Sequence, residues 1–271
     1  MTSSQKMTHI RSSTADLFES FVKDFTFNVA ISESEKKRIY RLRHEVYCQE
    51  IGYHPPGETS QNIEIDAHDS HSIHCLIEHR RSGLAAGCLR LVLPAPVAEG
   101  KHHRLPLQEY GERSLTHEIF HPATLPYDSI CEISRFAIAR AFRHKPIKHE
   151  TLGMENDLHE FTSEEKKTFP LIIVALFLAT YSLVGLMKKR HVFAMMEPRL
   201  PRLLSMSGFH FTKVGERIEM HGSRNAFYID HRKAEKEIHE DLMPLYLHIR
   251  QKLAPQLESL PAYQDKMASY S

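Results

Sequence analysis

Glu132 and Arg135 stand three residues apart in the run Ile130–Ala139, ICEISRFAIA. A carboxylate in so apolar a run can accept a proton, or it can sit in a structural ion pair with Arg135 or Arg90. The run reads as a strand. A strand's period of two sends Glu132 and Arg135 to opposite faces, so they share a cleft only if a bulge lies between them. Asp66 and Asp69 fall in a loop ahead of another strand, where aspartate readily caps a turn. Arg43 is long enough to pack its stem or to reach a carboxylate. Arg224, in H-G-S-R, could hold a carboxylate or phosphate as a fork, or be a surface strand arginine. His68, His71, His74 and His79 crowd the two aspartates. Imidazole and carboxylate are metal ligands, but the spacing fits no zinc motif and part of it falls on a strand, so no metal is expected. Cys131, beside Glu132, has no activating motif and is expected to be a buried structural thiol.

These residues need a scaffold, and periodicity supplies one. A short helix is expected over Ser13–Phe25 and a strand over Thr26–Ile31. Ser32 with Glu35 makes a capping box. Ile39, Leu42 and Val46 then recur at helical spacing, with Tyr40, Arg43 and Tyr47 on an adjacent face. Gly52–Ser70 reads as a loop broken by Pro55-Pro56-Gly57. Ser72–Glu78 and Leu84–Leu93 read as strands joined through Arg80-Arg81-Ser82-Gly83. Residues 143–166 form a polar excursion. Pro170–Lys189 reads as a helix, His191–Met196 as a buried strand and Pro198–Met206 as a short helix. Phe209–Met220 and Asn225–Ile229 close the sheet. The tail Ala234–Leu260 reads as an amphipathic helix or pair interrupted by Pro244 and Pro255. The order predicts an α/β (α+β) fold, a mixed sheet flanked by helices.

The chain has 271 residues and a formal net charge of +1. It lacks the basic excess of a nucleic-acid binder. Its four cysteines form no CxxC pair, which favours free thiols in a reducing cytoplasm. The first residues carry no apolar core, so no secretory signal is expected. The nearly uncharged stretch Pro170–Met187 lies at the lower edge of a membrane span in length. A span there would part Glu132 from the Arg224 strand, so a buried helix is expected, with room left for peripheral membrane contact.

Longer motifs carry a resemblance. R-L-R-H-E-V-Y-C-Q-E-I-G-Y places Arg43, Tyr47 and Tyr53 where autoinducer synthases have an arginine and two aromatics, the second usually tryptophan. Asp66-Ala67-His68-Asp69 resembles their D-x-x-D. G-C-L-R-L-V-L-P supplies the strand arginine Arg90, and C-E-I-S-R-F-A-I supplies Glu132 and Arg135 in E-x-S-R-F. M-E-P-R-L-P-R-L-L-S-M-S-G-F followed by H-G-S-R resembles the acyltransferases associated with PEP-CTERM/exosortase systems. Spread over about residues 38–230 in the same order, these motifs resemble the autoinducer-synthase and N-acyl amino acid synthase branch of the GNAT superfamily.

The resemblance implies a GNAT-like, mostly antiparallel mixed sheet over residues 26–232. Residues 1–25 become an N-terminal helical extension and 233–271 a C-terminal helical tail. It implies an acyltransferase that moves a fatty acyl group from an acyl-carrier-protein or acyl-CoA thioester to the amine of a small acceptor, such as an amino acid. Transfer would be direct, in a ternary complex, with the thioester as co-substrate and no permanently bound cofactor. Such a reaction needs a proton acceptor, amide donors facing the carbonyl oxygen and two substrates held together. Glu132 is the expected acceptor, directly or through water, with Arg135 beside it. The family's splayed fourth strand would supply both the bulge and the free amide. Arg43, Tyr47, Tyr53, Asp66, Asp69, Arg90 and Arg224 would form the substrate site. The pyrophosphate-binding glycine loop of ordinary GNAT enzymes is absent after Ala139, where Arg140, Arg143, His144 and Lys145 follow instead. That departure favours acyl carrier protein, and Arg140, Arg143 and Lys145 as its contacts. The apolar helix would partly line an acyl tunnel, with Ala175 and Gly185 taken to face it. The alternative is a catalytically silent GNAT-like module that binds an acyl group or another ligand for regulation.

Overall fold

A computed structural model describes residues 15–53, 61–94, 104–143, 160–205, 208–220, 222–260 and 263. The chain enters through helix α1 over residues 15–24 and strand β1, Phe25–Val29. Helix α2, Glu33–Arg43, starts at the expected capping box, with both Ser32 and Glu35 engaged. It runs on through a π-type segment, His44–Glu50. Strands β2 (Ser72–His79) and β3 (Ala85–Val92) form the expected hairpin, whose turn puts Gly83 at φ +69°. A short helix α3, Pro106–Tyr110, precedes β4, Ile130–Ile138. Then come α4 (Ser163–Thr168), α5 (Leu171–Leu186), β5 (His191–Met196) and α6 (Leu200–Ser205). Two-residue strands β6 (Thr212–Lys213) and β7 (Ile218–Glu219) lead into β8, Ser223–Asp230. Helices α7 (His231–Lys236) and α8 (Met243–Leu257) follow.

The strands form one sheet in the order β1-β2-β3-β4-β5-β8-β6, with β7 also on β8. Every pairing is antiparallel except β4 with β5. That parallel pair is zipped only from Ile130 opposite His191 to Ile133 opposite Ala194. Beyond this point β4 and β5 splay, and a wedge opens at the centre of the sheet.

Helix α5 is the expected buried helix. A helix apolar all round must be covered all round, and α5 packs against β3 and β4 on one side and α8 on the other. No helix among the described residues is long and apolar enough to cross a membrane. Helix α8 also closes an edge of the sheet. The Gln256 amide donates to the Phe27 carbonyl at 2.9 Å and accepts from the Val29 amide at 2.8 Å, as a neighbouring strand would.

Two expectations need correction. The Phe209–Met220 run is not one strand but two short ones. Between them Gly215 bridges to Leu115 and lies so close to Ala226 that a Cβ added at this position would sit 2.9 Å from that side chain. In the tail, the break between helices falls between α7 and α8 rather than at the prolines. Pro244 lies in the first turn of α8, where no intrahelical amide is needed. Pro255 lies in its last turns, and the helix continues to Leu257.

Candidate active site

Arg43 on α2, Arg90 on β3 and Arg135 on β4 meet Glu64, Asp66 and Asp69 in a closed ring of alternating charge. The Arg43 Nε donates to Glu64 at 2.5 Å, and its two terminal nitrogens grip Asp69 at 2.7 and 3.1 Å. Arg90 Nη1 donates to Asp69 at 2.8 Å and Asp66 at 2.5 Å, while its Nε holds Ser134 at 3.0 Å. Arg135 returns to Asp66 at 2.8 Å and to Glu64 at 3.0 Å. Arg43 and Arg90 are wholly buried. Burial pushes the Asp69 carboxyl up, but Arg43 and then Arg90 outweigh it and hold the group below the usual carboxylate range. The same balance, won by Arg43 and Arg135, keeps Glu64 low, and Arg90 and Arg135 do so for Asp66.

Local backbone sets this geometry. Asp66 caps the short turn Ala67–His71 by accepting from the His68 amide at 2.9 Å, and Asp69 accepts from the Asp66 amide at 2.8 Å. Capping and ion pairing are therefore simultaneous jobs of both aspartates. On β4 the pairing with β3 slips by one residue between Cys88 and Arg90. Arg135 sits at that bulge with φ +52°, a costly backbone for a residue with a Cβ. The bulge turns Arg135 onto the face of Ser134 and Glu132, as the strand-period argument required. Tyr47 and Tyr53 each place a ring centroid 5.7 Å from the Arg135 guanidinium. The Tyr47 hydroxyl donates to the Phe136 carbonyl at 2.8 Å and so ties the π-type segment after α2 to the splayed part of β4. Burial pushes that phenol up to about 12, which suits a wall and not an acid.

Glu132 stands outside the ring. It is 1% exposed, and its Oε2 accepts from the Leu107 amide at 2.8 Å, at the start of α3. Arg90 and Arg135 pair with ring carboxylates, and neither forms an ion pair with Glu132. Burial pushes its carboxyl up to about 8, against the pull of the Leu107 amide, Arg90 and Arg135.

A cavity of 870 Å³ passes through the wedge between β4 and β5. One side carries Glu132, Ser134, Arg135, Tyr47 and Tyr53. The other is apolar, with Phe177 and Val184 of α5 and Val192 and Ile229 of the sheet. Ala175 and Gly185 do not line it, contrary to expectation. Ala175 is fully buried elsewhere on α5, and Gly185 faces His231 and Arg250. Arg224 lines the cavity but lies apart from the ring and pairs with Glu197 at 2.8 Å. Arg143 also lines it and is held by Glu50 at 2.5 Å. Arg140 is exposed beside the end of β4, and Lys145 lies outside the described residues.

The histidines divide into separate local roles. His68 meets Glu109 at 2.8 Å, His74 lies 3.7 Å from Asp69, and His79 lies 3.2 Å from Glu165. Burial pulls His74 down to about 4, so it is neutral beside the ring. Cys131 is a buried thiol directed at the His191 carbonyl. Two contributors escaped the sequence reading, Glu64 and the Leu107 amide. Glu64 lies two residues before Asp66 in an extended segment, and that alternation was a usable signal.

Residues 42–151 match the family model described as Acetyltransferase (GNAT) domain. Together with the splayed sheet, this match makes residues 42–151 similar to an acetyltransferase domain of the GNAT type and the fold GNAT-like. The architecture is similar to that of acyl-homoserine-lactone synthases. The CoA-dependent acyl-homoserine lactone synthase BjaI, with SAM and isopentyl-CoA, aligns at TM-score 0.54 and 17% identity over 83% of this chain and 89% of that one. The AHL synthase LasI aligns at 0.53 and 14%, over 79% and 94%. TofI, in a ternary complex with an inhibitor and MTA, aligns at 0.52 and 18%, over 77% and 91%. At such identities these are likenesses of fold. No curated protein sequence matches the chain.

Proposed function

We propose that the protein is an N-acyltransferase joining a fatty acyl group, delivered as an acyl-carrier-protein thioester, to the amine of a small acceptor such as an amino acid. One observation carries the reading. A carboxyl raised to about 8 opens into the same cavity as the unzipped backbone of β4, and the far side of that cavity is apolar. The acyl chain occupies the apolar side, and its thioester carbonyl lies at the wedge, where unpaired β4 amides can face a developing oxyanion. The amine enters beside Ser134, Arg135 and Tyr53. Glu132 takes its proton directly or through a water as the amine nitrogen bonds to the carbonyl carbon; the carbonyl then re-forms, the C–S bond breaks, and the carrier thiolate leaves and takes up that proton. The ion ring holds Arg135 and the bulge in place. Transfer is direct, without an acyl-enzyme, since the only thiol beside Glu132, Cys131, is buried and directed at a backbone carbonyl.

The run from Met196 to Phe209 with H-G-S-R supports placing the chain among exosortase-associated acyltransferases, and the compartment in this reading is the cytoplasm. Acyl carrier protein is the preferred donor, although a CoA-dependent synthase has the same fold. Purified protein should be supplied with an acyl-carrier-protein thioester and a panel of amino acids and polyamines, and products followed by mass spectrometry. A new N-acyl amine that disappears with Glu132→Gln is the expected result. Thioester that survives with every amine offered would reject the reading.

A further inference from the structure

The apolar branch of the cavity includes polar side chains that nothing among the described residues pairs. Tyr181 on α5 and His231 at the start of α7 both line it. They are 5% and 3% exposed. The Tyr181 hydroxyl and both His231 ring nitrogens have no hydrogen-bond partner among the described residues. Their rings meet edge to face at 5.9 Å. A wall built only for hydrocarbon would leave these groups at a cost, because a buried donor or acceptor without a partner loses its hydration for nothing.

The arrangement is built. A Cβ at Gly185 would lie 2.6 Å from His231 Nε2, so the glycine in the last turn of this apolar helix is the notch that admits the imidazole. Tyr181 is held by stacking on Phe209, with centroids 5.0 Å apart. Thr180, on the same wall, already donates to the Leu176 carbonyl at 3.0 Å and keeps acceptor capacity. Burial lowers the His231 pKa, so its ring is neutral and has one donor and one acceptor. Position matters too. Phe227 faces Ala194, where β4 and β5 part, and His231 lies four residues further along the chain. At about 3.3 Å per residue that is roughly 13 Å from the wedge, far from the thioester carbonyl.

We propose that the inner end of this cavity recognises a hydroxyl group carried far along the acyl chain, through the Tyr181 hydroxyl and the His231 imidazole. The substrate class is thus a hydroxylated fatty acyl group, and the reaction supplying it is a hydroxylation or hydration distant from the carboxyl carbon. This deepens the transferase reading and rests on it for the placement of the thioester.

Calorimetric titration of the full chain with free fatty acids and their distal-hydroxy counterparts of equal length reads the site without turnover. The hydroxy acid should bind about tenfold tighter or more, because a site that hydrogen-bonds a hydroxyl rejects the analogue lacking it. Tyr181→Phe, which removes only the oxygen, should erase most of that difference, and His231→Leu the rest. Equal affinity for the two acids, as when water fills the end of the cavity, overturns the proposal. So does a preference that survives both variants. Acyl-carrier-protein thioesters of the same chains separate the two readings. Hydroxy-acid preference with no thioester consumed sinks the transferase reading alone. Consumption without preference sinks this one alone.

Discussion

A carboxyl buried beside a helix start, with no cation of its own, gives Glu132 an unusual pH response. As a base it works only when ionised, so turnover should rise with pH and level off above about 8. Glu132→Gln should lower kcat by about a hundredfold or more and flatten that profile. The stability effect has the opposite sign. The folded pKa of about 8 lies above the ordinary glutamate value of 4.5, so the native state holds the proton more tightly. The chain is then less stable as pH rises through that window, by up to about 1.4 kcal/mol per pH unit from this one group. Urea melts at about pH 5 and about pH 8 should show that slope in the native protein and a shallower one in Glu132→Gln. An unchanged slope would mean that the carboxyl is not neutral in the fold. The ion ring behaves differently, because each member has two partners. Arg43→Met leaves Glu64 and Asp69 short of a buried counter-charge and should cost about 3–5 kcal/mol, read as a lower urea midpoint. Most of this site was legible as motifs, since Arg43, Asp66, Asp69, Arg90, Glu132 and Arg135 all come within one small region. What the motifs left out was Glu64, which completes the neutral ring, and the Leu107 amide that fixes Glu132. Backbone donors carry no sequence signature.

At the scale of elements, α5 was readable from composition, but its facing was not. A helix buried on every side has no polar stripe to mark which residues look where. Hence Ala175 and Gly185 were assigned to the cavity, whereas Phe177, Thr180, Tyr181 and Val184 line it. Val184→Phe should therefore shorten the preferred acyl chain, as a donor series of graded length would show. Ala175→Phe should leave the preference alone and cost about 1–3 kcal/mol by overpacking. Reversal of those two outcomes would misplace the acyl branch. The hairpin, helix α2 and most of the succession of elements along the chain followed from period and capping alone. The depth of the central wedge did not, because the parting of β4 from β5 is decided by which backbone pairs form and not by side-chain type. Helix α8 lies outside the motif-bearing region, yet its Gln256 stands in for a strand at the edge of β1. Gln256→Ala should cost about 1–3 kcal/mol through two lost hydrogen bonds, seen as a lower melting temperature, with kcat little changed.

Across the whole molecule the charges nearly cancel, at a formal +1. Long-range attraction for an acidic carrier protein must then come from how cations are distributed and not from their total. Arg140 is exposed beside the end of β4, and Arg199 and Arg202 are exposed around α6. Arg199 and Leu203 also line the cavity, and Leu203 is 62% exposed. Arg143 contributes less than its position suggests, because Glu50 already neutralises it. A carrier docking across Arg140 and α6 could pass its tethered acyl chain straight into the wedge and meet all of these cations at once, whereas a CoA thioester, although polyanionic, is too small to span them. The expected outcome is a kcat/KM for acyl-carrier-protein thioester about tenfold or more above that for acyl-CoA of equal chain length at low salt. That ratio should shrink as salt shortens the Debye length from about 30 Å at 0.01 M to about 8 Å at physiological strength. Arg140→Glu with Arg202→Glu should lower the carrier-protein value while leaving acyl-CoA turnover within a few-fold. Competition between the two donors across a salt series reads both effects in one experiment. A preference for acyl-CoA at every ionic strength, or a carrier preference indifferent to salt and to both reversals, would remove charge-guided docking from the account and leave the cavity alone to select the donor.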